Sequence, residues 1–232
     1  MAAAVLAAVA PQEDGNDMNA KDFLTEKERD QVSEAVCQAE KITSGEIVPM
    51  IVSRSHDYPL ASITGATIFS LPISLFFAHF IGARMWLGQD SMWLFLLFFT
   101  ILYLVSFFVI RGNDHLKALF LHPKQVEHEV SEGALAAFYT GKLYKTEQEN
   151  GILLYISVLE RRVWVLADSG ISARIPQENW DTIVDDLTQE LKAGQRCPGI
   201  CKAVGRIGQI LQEHFPGQKD DQDELHNLII RT

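Results

Sequence analysis

Two long stretches without charge set the limits on what this chain can become. Pro59 to Ala83 contains no Lys, Arg, Asp or Glu, and Ser91 to Ile110 again contains none. At 1.5 Å per residue, about 20 apolar residues cross a hydrocarbon core of roughly 30 Å. The spacing predicts a transmembrane helical hairpin over 59–110, with spans at about 61–83 and 91–110. Trp86 and Trp93 flank the short connection Arg84–Asp90, where indoles favour the headgroup level. A buried helical hairpin of a soluble protein is the plainer alternative, and the second run is too uniformly apolar for it.

An even number of spans returns the chain to the side it left. The segments 23–58 and 111–232 can therefore join in one domain. Lys41, Arg54, Arg111, Lys117 and Lys124 lie outside the hairpin near its ends, against Arg84 within it, which places both termini in the cytoplasm. His79, with Pro72 and Gly65 in the same run, raises a third and weaker reading as a small transporter subunit. Two spans without an internal repeat suit an anchor better.

Outside the hairpin the pattern alternates helix and strand. Thr25-x-x-Glu28 is a capping box opening a helix with Val32, Ala35, Val36, Ala39 and Ile42 on one stripe. Ser44-Gly45 ends it, and Glu46–Ser53 reads as a strand whose Pro49 belongs near a sheet edge. Pro123 opens a helix carrying Val126, Val130, Ala134 and Phe138. Ile152–Val158 and Val163–Ala167 are short apolar runs around the corner Glu160-Arg161-Arg162, a hairpin at the middle of a sheet. Two more amphipathic helices follow, one from about Trp180 to Leu191 and one from about Pro198 to His214. Gly205 and Gly208 permit close approach on the last. A short apolar segment near the end docks on the domain. The fold class expected is α/β, a layered sandwich with a central mixed sheet and helices on both faces, interrupted by the transmembrane hairpin. Residues 1–22, Ala-rich and then polar, read as a disordered leader, with Met1 or Met18 as the start.

The formal net charge is −10. An acidic surface argues against nucleic acid, which requires clustered Lys and Arg. No phosphate-binding Gly-x4-Gly-Lys loop is present, so no nucleotide partner is expected. Cys37, Cys197 and Cys201 make an odd number without framework spacing and fit a reducing compartment. Cys197 and Cys201 read as packing residues. His128 and Glu132, four apart on a helix, form a metal pair without a third ligand and read as a solvated face. The acidic run Asp220, Asp221, Asp223 and Glu224 lacks the glycine and spacing of a calcium loop. Asp168 is the best catalytic candidate, at the end of an apolar strand where open α/β sheets hold their ligands, with Gly170 allowing close backbone approach. The competing reading is an Asx-type turn. Glu46 is the candidate second carboxylate for a metal, Ca²⁺ or Mg²⁺, although its place at a strand start argues against that.

These residues in this order resemble a known family. Thr25–Ser53 with its Ser-Gly-Glu-Ile-Val-Pro, Thr146, the run Asn150–Ile171, Trp180 and the helix at Gly199-Ile200 are similar to the TPM domain family, named after thylakoid-lumen, photosystem-associated and modulator proteins. The closing His214-Phe215-Pro216 with Asp223-Glu224-Leu225 resembles bacterial members that carry an inserted membrane hairpin. The likeness covers about residues 23–230. It implies an α/β sandwich with a mixed sheet and a place in a bacterial inner membrane. It also implies one of two roles. The expected one is an interaction module serving assembly or quality control of membrane proteins, with the lipid bilayer and a membrane protein as partners. The alternative is a divalent-metal-dependent acid phosphatase-like hydrolase.

Overall fold

The computed structural model describes residues 5–8, 19–85, 91–146, 148–217 and 227–231. The connection at 86–90 with Trp86, the acidic run at 220–224 and Met18 lie outside the described residues. The chain divides into two compact units, one formed by 1–56 with 124–232 and the other by 57–123.

The first unit is built on a mixed sheet. Its body is four strands, β2 (Glu46–Val52), β3 (Gly151–Ser157), β4 (Arg162–Ala167) and β5 (Ile229–Arg231); β1 (Val5–Ala8) adds at one edge, for the order β1-β4-β3-β2-β5. β2 is parallel to β3 and β5, whereas β4 is antiparallel to both β3 and β1. The apolar runs around Glu160-Arg161-Arg162 thus form a hairpin at the sheet's middle, as their turn residues require. The docked segment at the end is a strand, because Ile229–Arg231 pairs with Met50–Val52. Pro49 falls just ahead of that pairing, where its missing N–H breaks no bond to β5. Residues 1–22, expected to be a disordered leader, hold two short elements, β1 and part of α1 (Ala20–Phe23). Pairing to β4 supplies the order of β1 that its composition does not.

Every residue of β2 and β3 is buried, which is why they read as continuous apolar runs. Ile47, Ile51, Ile152, Leu154, Ile156, Val163 and Val165 point to one face and join a single core cluster. α2 (Glu26–Glu40), α8 (Gln177–Lys192) and α9 (Arg196–His214) cover that face. The capping box at the start of α2 is complete, with the Thr25 N–H donating to Glu28 Oε2 at 2.8 Å and the Glu28 N–H to Thr25 Oγ1 at 3.4 Å. α2 and α9 meet at Gly208, where a Cβ would stand 2.8 Å from that of Ala39; Gly205 meets nothing within 4 Å. The opposite face, carrying Val48, Met50, Leu153, Tyr155 and Leu166, takes α6 (Pro123–Thr140). Gly133 of α6 lies so close that a Cβ there would be 3.0 Å from the Tyr155 hydroxyl oxygen.

The second unit is an α-helical hairpin, α3 (Pro59–Met85) and α4 (Ser91–Gly112), followed by the short α5 (Asp114–Ala118). Both long helices are long and apolar enough to cross a membrane. Their outward faces are apolar and exposed: Ile68, Phe69, Phe76 and Phe80 on α3, and Leu97, Ile101, Leu104 and Phe108 on α4. On α3, Ser62, Ala66, Ser70, Ser74 and Ala78 recur every fourth residue and are buried. Small residues at that spacing form one stripe that lets a second helix approach closely. The Ser70 and Ser74 hydroxyls donate back to Thr67 and Leu71 carbonyls, so burial leaves neither unsatisfied. Beside the stripe, Phe77 of α3 and Phe98 of α4 have ring centroids 5.8 Å apart across the pair. His79 is on the exposed side of α3.

Candidate functional site

The face under α6 is polar at both ends, and the two ends differ in what they can do. At one end stand the sequence candidates. Register pairs Glu46 with Gly151, and the Asp168 N–H donates to the Gly151 carbonyl at 2.9 Å. Glu46, Gly151 and Asp168 therefore form one row across three strands, with both carboxylates on the α6 side of the sheet. Asp168 does not lie at the carboxyl end of the parallel strands. β4 runs antiparallel, so its end meets the starts of β2 and β3. For the same reason Glu46, at a strand start, lies on the same end as Asp168. Two strand spacings separate their Cα atoms, about 10 Å. Among the described residues, no three His, Cys, Asp or Glu side chains gather to hold a metal ion. The row thus offers two carboxylates and no third ligand for Ca²⁺ or Mg²⁺.

Asp168 divides its oxygens between two tasks. Oδ1 accepts the Ser169 N–H at 2.7 Å and caps α7 (Ser169–Ser172). That is the turn role expected of an Asp after a strand. Oδ2 is buried and has no hydrogen-bond partner among the described residues. The Ser169 hydroxyl donates to Glu149 Oε2 at 2.7 Å. A Cβ on Gly170 would come within 2.8 Å of the Glu149 carbonyl oxygen, so glycine is required for the close approach. A side chain on Gly151 would run into the Leu143 carbonyl in the same way. Asn150 is buried and donates to the Ser44 carbonyl, tying the turn before β3 to the turn before β2. Beside Asp168 a cavity of about 260 Å³ opens between the end of α6, a 3-10 turn at Leu143–Lys145 and the end of β4.

The other end holds a buried polar chain that periodicity alone did not mark. Ser55 donates its hydroxyl to Ser157 Oγ at 3.1 Å, and Ser157 donates to Glu160 Oε2. Each hydroxyl has one proton, so the 3.1 Å contact between Tyr155 and Ser55 has Tyr155 as donor. Glu160 Oε1 accepts the Ser55 N–H at 2.8 Å. The chain runs in one direction, from Tyr155 through two serines to a buried carboxylate. It lies at the carboxyl ends of β2 and β3 and fixes the residues from which the chain leaves for the hairpin. His56 reaches Glu129 of α6, with Nδ1 and Oε2 3.3 Å apart. The sequence signal was slight: a tyrosine and a serine at alternate positions of an apolar run, with one glutamate in a corner full of arginine.

Burial pushes the Tyr155 hydroxyl up to about 12, and the Glu160 charge adds to the rise. The folded state thus holds the neutral phenol more firmly than the unfolded chain does. That contribution is complete below pH 10 and is lost as pH rises toward 12, amounting to about 3 kcal/mol at most. Denaturant titrations across this window should show wild type losing more stability than Tyr155→Phe. Parallel curves would remove the tyrosine from the account.

The remaining candidates are dispersed. His128 and Glu132 form an exposed pair at 3.4 Å on the outer side of α6. Cys197 and Cys201 are 3.9 Å apart at the start of α9, and Cys197 packs into the core cluster. Burial and the neighbouring Cys197 push the Cys201 thiol up to about 11, which disfavours the reactive thiolate.

Comparison with known proteins agrees with this architecture. Residues 121–210 match the family model described as the TPM domain, a span from just before α6 to most of α9. The earlier part of the likeness, Thr25–Ser53, lies outside the matched residues. The NMR structure of BA42 protein from the psychrophilic bacterium Bizionia argentinensis superposes with a TM-score of 0.56 at 21% identity, covering 90% of this chain and 96% of that one. At that identity the likeness speaks for the fold alone. No curated protein sequence matches the chain.

Proposed function

We propose, from the premise that residues 121–210 are a TPM domain, that this chain is a membrane-anchored, cytoplasm-facing interaction module for the assembly or quality control of membrane proteins. The observation that carries the anchor is the exposed apolar face of the hairpin. Within the most apolar 18-residue window of α4 only 6% is buried. A soluble core helix would hide that surface, since apolar area left in water costs about 25 cal/mol per Å². Among the described residues, the core cluster of the α/β unit takes no member from 57–123. The hairpin therefore serves something other than that core. A lipid bilayer is the partner that fits, and a membrane protein is the natural client of a domain held at its surface.

Topology and catalysis are the two tests. Reporter fusions at Gly88 and at the C-terminus should report opposite sides of the membrane, with the C-terminus cytoplasmic. Equal signals would overturn the hairpin as an anchor. A second reading, a divalent-metal-dependent phosphatase, is favoured by one observation: Asp168 and Glu46 share a row and a face. It predicts Ca²⁺- or Mg²⁺-dependent hydrolysis of a phosphate monoester that Asp168→Asn abolishes. That result would replace the interaction reading. The expected outcome is no turnover, and no shift in melting temperature at millimolar metal.

A further inference from the structure

We infer that the cavity beside Asp168 is a binding site for a small alkylammonium ion, a group with a compact positive charge and an apolar skin. Three features meet there. The first is Asp168, whose side chain belongs to the wall of a cavity of about 260 Å³. A carboxylate beside an otherwise apolar wall favours a cationic ligand over a neutral or anionic one. The second is aromatic. Phe138, Tyr139 and Tyr144 line the same cavity, with Leu166 at its side. The Tyr139 and Tyr144 ring centroids are 5.4 Å apart at 52°, and Phe138 stands edge-on to Tyr139 at 88°. Rings set at angles form walls, and aromatic faces attract a cation. Tyr139 and Tyr144 are 46% and 41% exposed, so their surfaces are open to an incoming ligand.

The third feature is size. Pockets for drug-sized ligands run from about 300 to 1,000 Å³, so this one holds a head group and not a nucleotide. A metal ion fits less well, because the walls are carbon and among the described residues no three ligating side chains gather. An alkylammonium fits each surface: charge toward Asp168, methyl or methylene groups toward the rings.

Such a group occurs in free amines and in lipid head groups. The head group also carries a phosphate, which the carboxylates of Asp168 and Glu149 at this turn would repel. The site is therefore assigned to the free amine. The inference does not depend on the proposed role at the membrane.

The test is calorimetric titration of the full chain in maltoside micelles with choline, with phosphocholine, and with 3,3-dimethylbutanol, the uncharged isostere of choline. Choline should bind saturably, phosphocholine at least about tenfold more weakly, and the isostere weaker still. Asp168→Asn keeps the oxygen that caps α7 and removes the charge, and should weaken choline about tenfold or more. Tyr144→Leu keeps apolar bulk without the ring face and should weaken it several-fold. Equal binding of choline and its isostere would overturn the site as a cation pocket. So would unchanged affinity in both variants, or no saturable binding of choline. Tighter binding of phosphocholine than of choline would overturn the free-amine assignment in favour of lipid head groups.

Discussion

Replacing residues 58–122 with about ten Gly and Ser residues should move the α/β unit completely from the membrane fraction to the soluble fraction, still folded. The expected change is all-or-none. Removing two apolar spans withdraws most of the transfer free energy that holds an integral protein in lipid. The remaining core loses nothing from its main cluster, none of whose members lies between 57 and 123. The two attachment points are also close. His56 contacts Glu129, and from Glu129 back to Pro123 is only about 9 Å of helix. A ten-residue flexible linker spans about 17 Å on average, so closure needs no distortion. Circular dichroism and a cooperative denaturant transition would establish the fold of the released unit. Retention in the membrane fraction after alkaline washing would show that the α/β unit itself binds lipid, and the anchor role of α3 and α4 would fall.

Trp180→Ala should cost about 3–5 kcal/mol, a large part of the roughly 5–15 kcal/mol that holds a typical domain. Trp180 is fully buried on α8, in the cluster between helices and sheet. Its truncation leaves the largest single void that one substitution can make there. Trp180→Phe should cost much less, under about 2 kcal/mol. The indole Nε1 is buried without an acceptor among the described residues, a penalty of about 1–3 kcal/mol that phenylalanine removes while refilling most of the space. Shifts in the denaturant midpoint at constant slope would measure both. Equal losses for the two variants would contradict the claim that the indole N–H is unsatisfied.

The elements of this fold were legible wherever one physical cause dominated. Charge-free runs marked α3 and α4, the Thr25–Glu28 capping box marked the start of α2, and the apolar stripe of α8 placed Trp180 inward. Each of these is a local pattern in which burial repeats at the period of the backbone. The small-residue stripe Ser62, Ala66, Ser70, Ser74 and Ala78 was equally periodic, but hydropathy does not separate it from the large apolar residues between. β1 escaped because its sequence is alanine-rich and its order comes from β4, more than 150 residues away.

The site followed the same division. Asp168 was visible as an aspartate at a strand end, and its turn role needed only the glycine two residues on. Whether Glu46 lay near it was not visible, because strand direction is a property of the sheet. Reading every strand end alike placed Asp168 at the carboxyl edge and Glu46 away from it, and one antiparallel partner reversed both. The chain from Tyr155 to Glu160 draws on Ser55, 100 residues from Tyr155, and the aromatic cavity joins α6 to Asp168, about 30 residues further on.

By itself, then, the sequence determined the inventory: two apolar helices long enough to cross a bilayer, strands too short and apolar to be anything else, and helices with one wet face. Those features depend on neighbours within a few residues, so local chemistry specifies them. The tertiary structure alone decided direction and company. It set which strand ends coincide, which carboxylate oxygen is left without a donor, and which hydroxyl gives its proton to which. Those outcomes depend on pairings between distant segments, whose register no local pattern encodes.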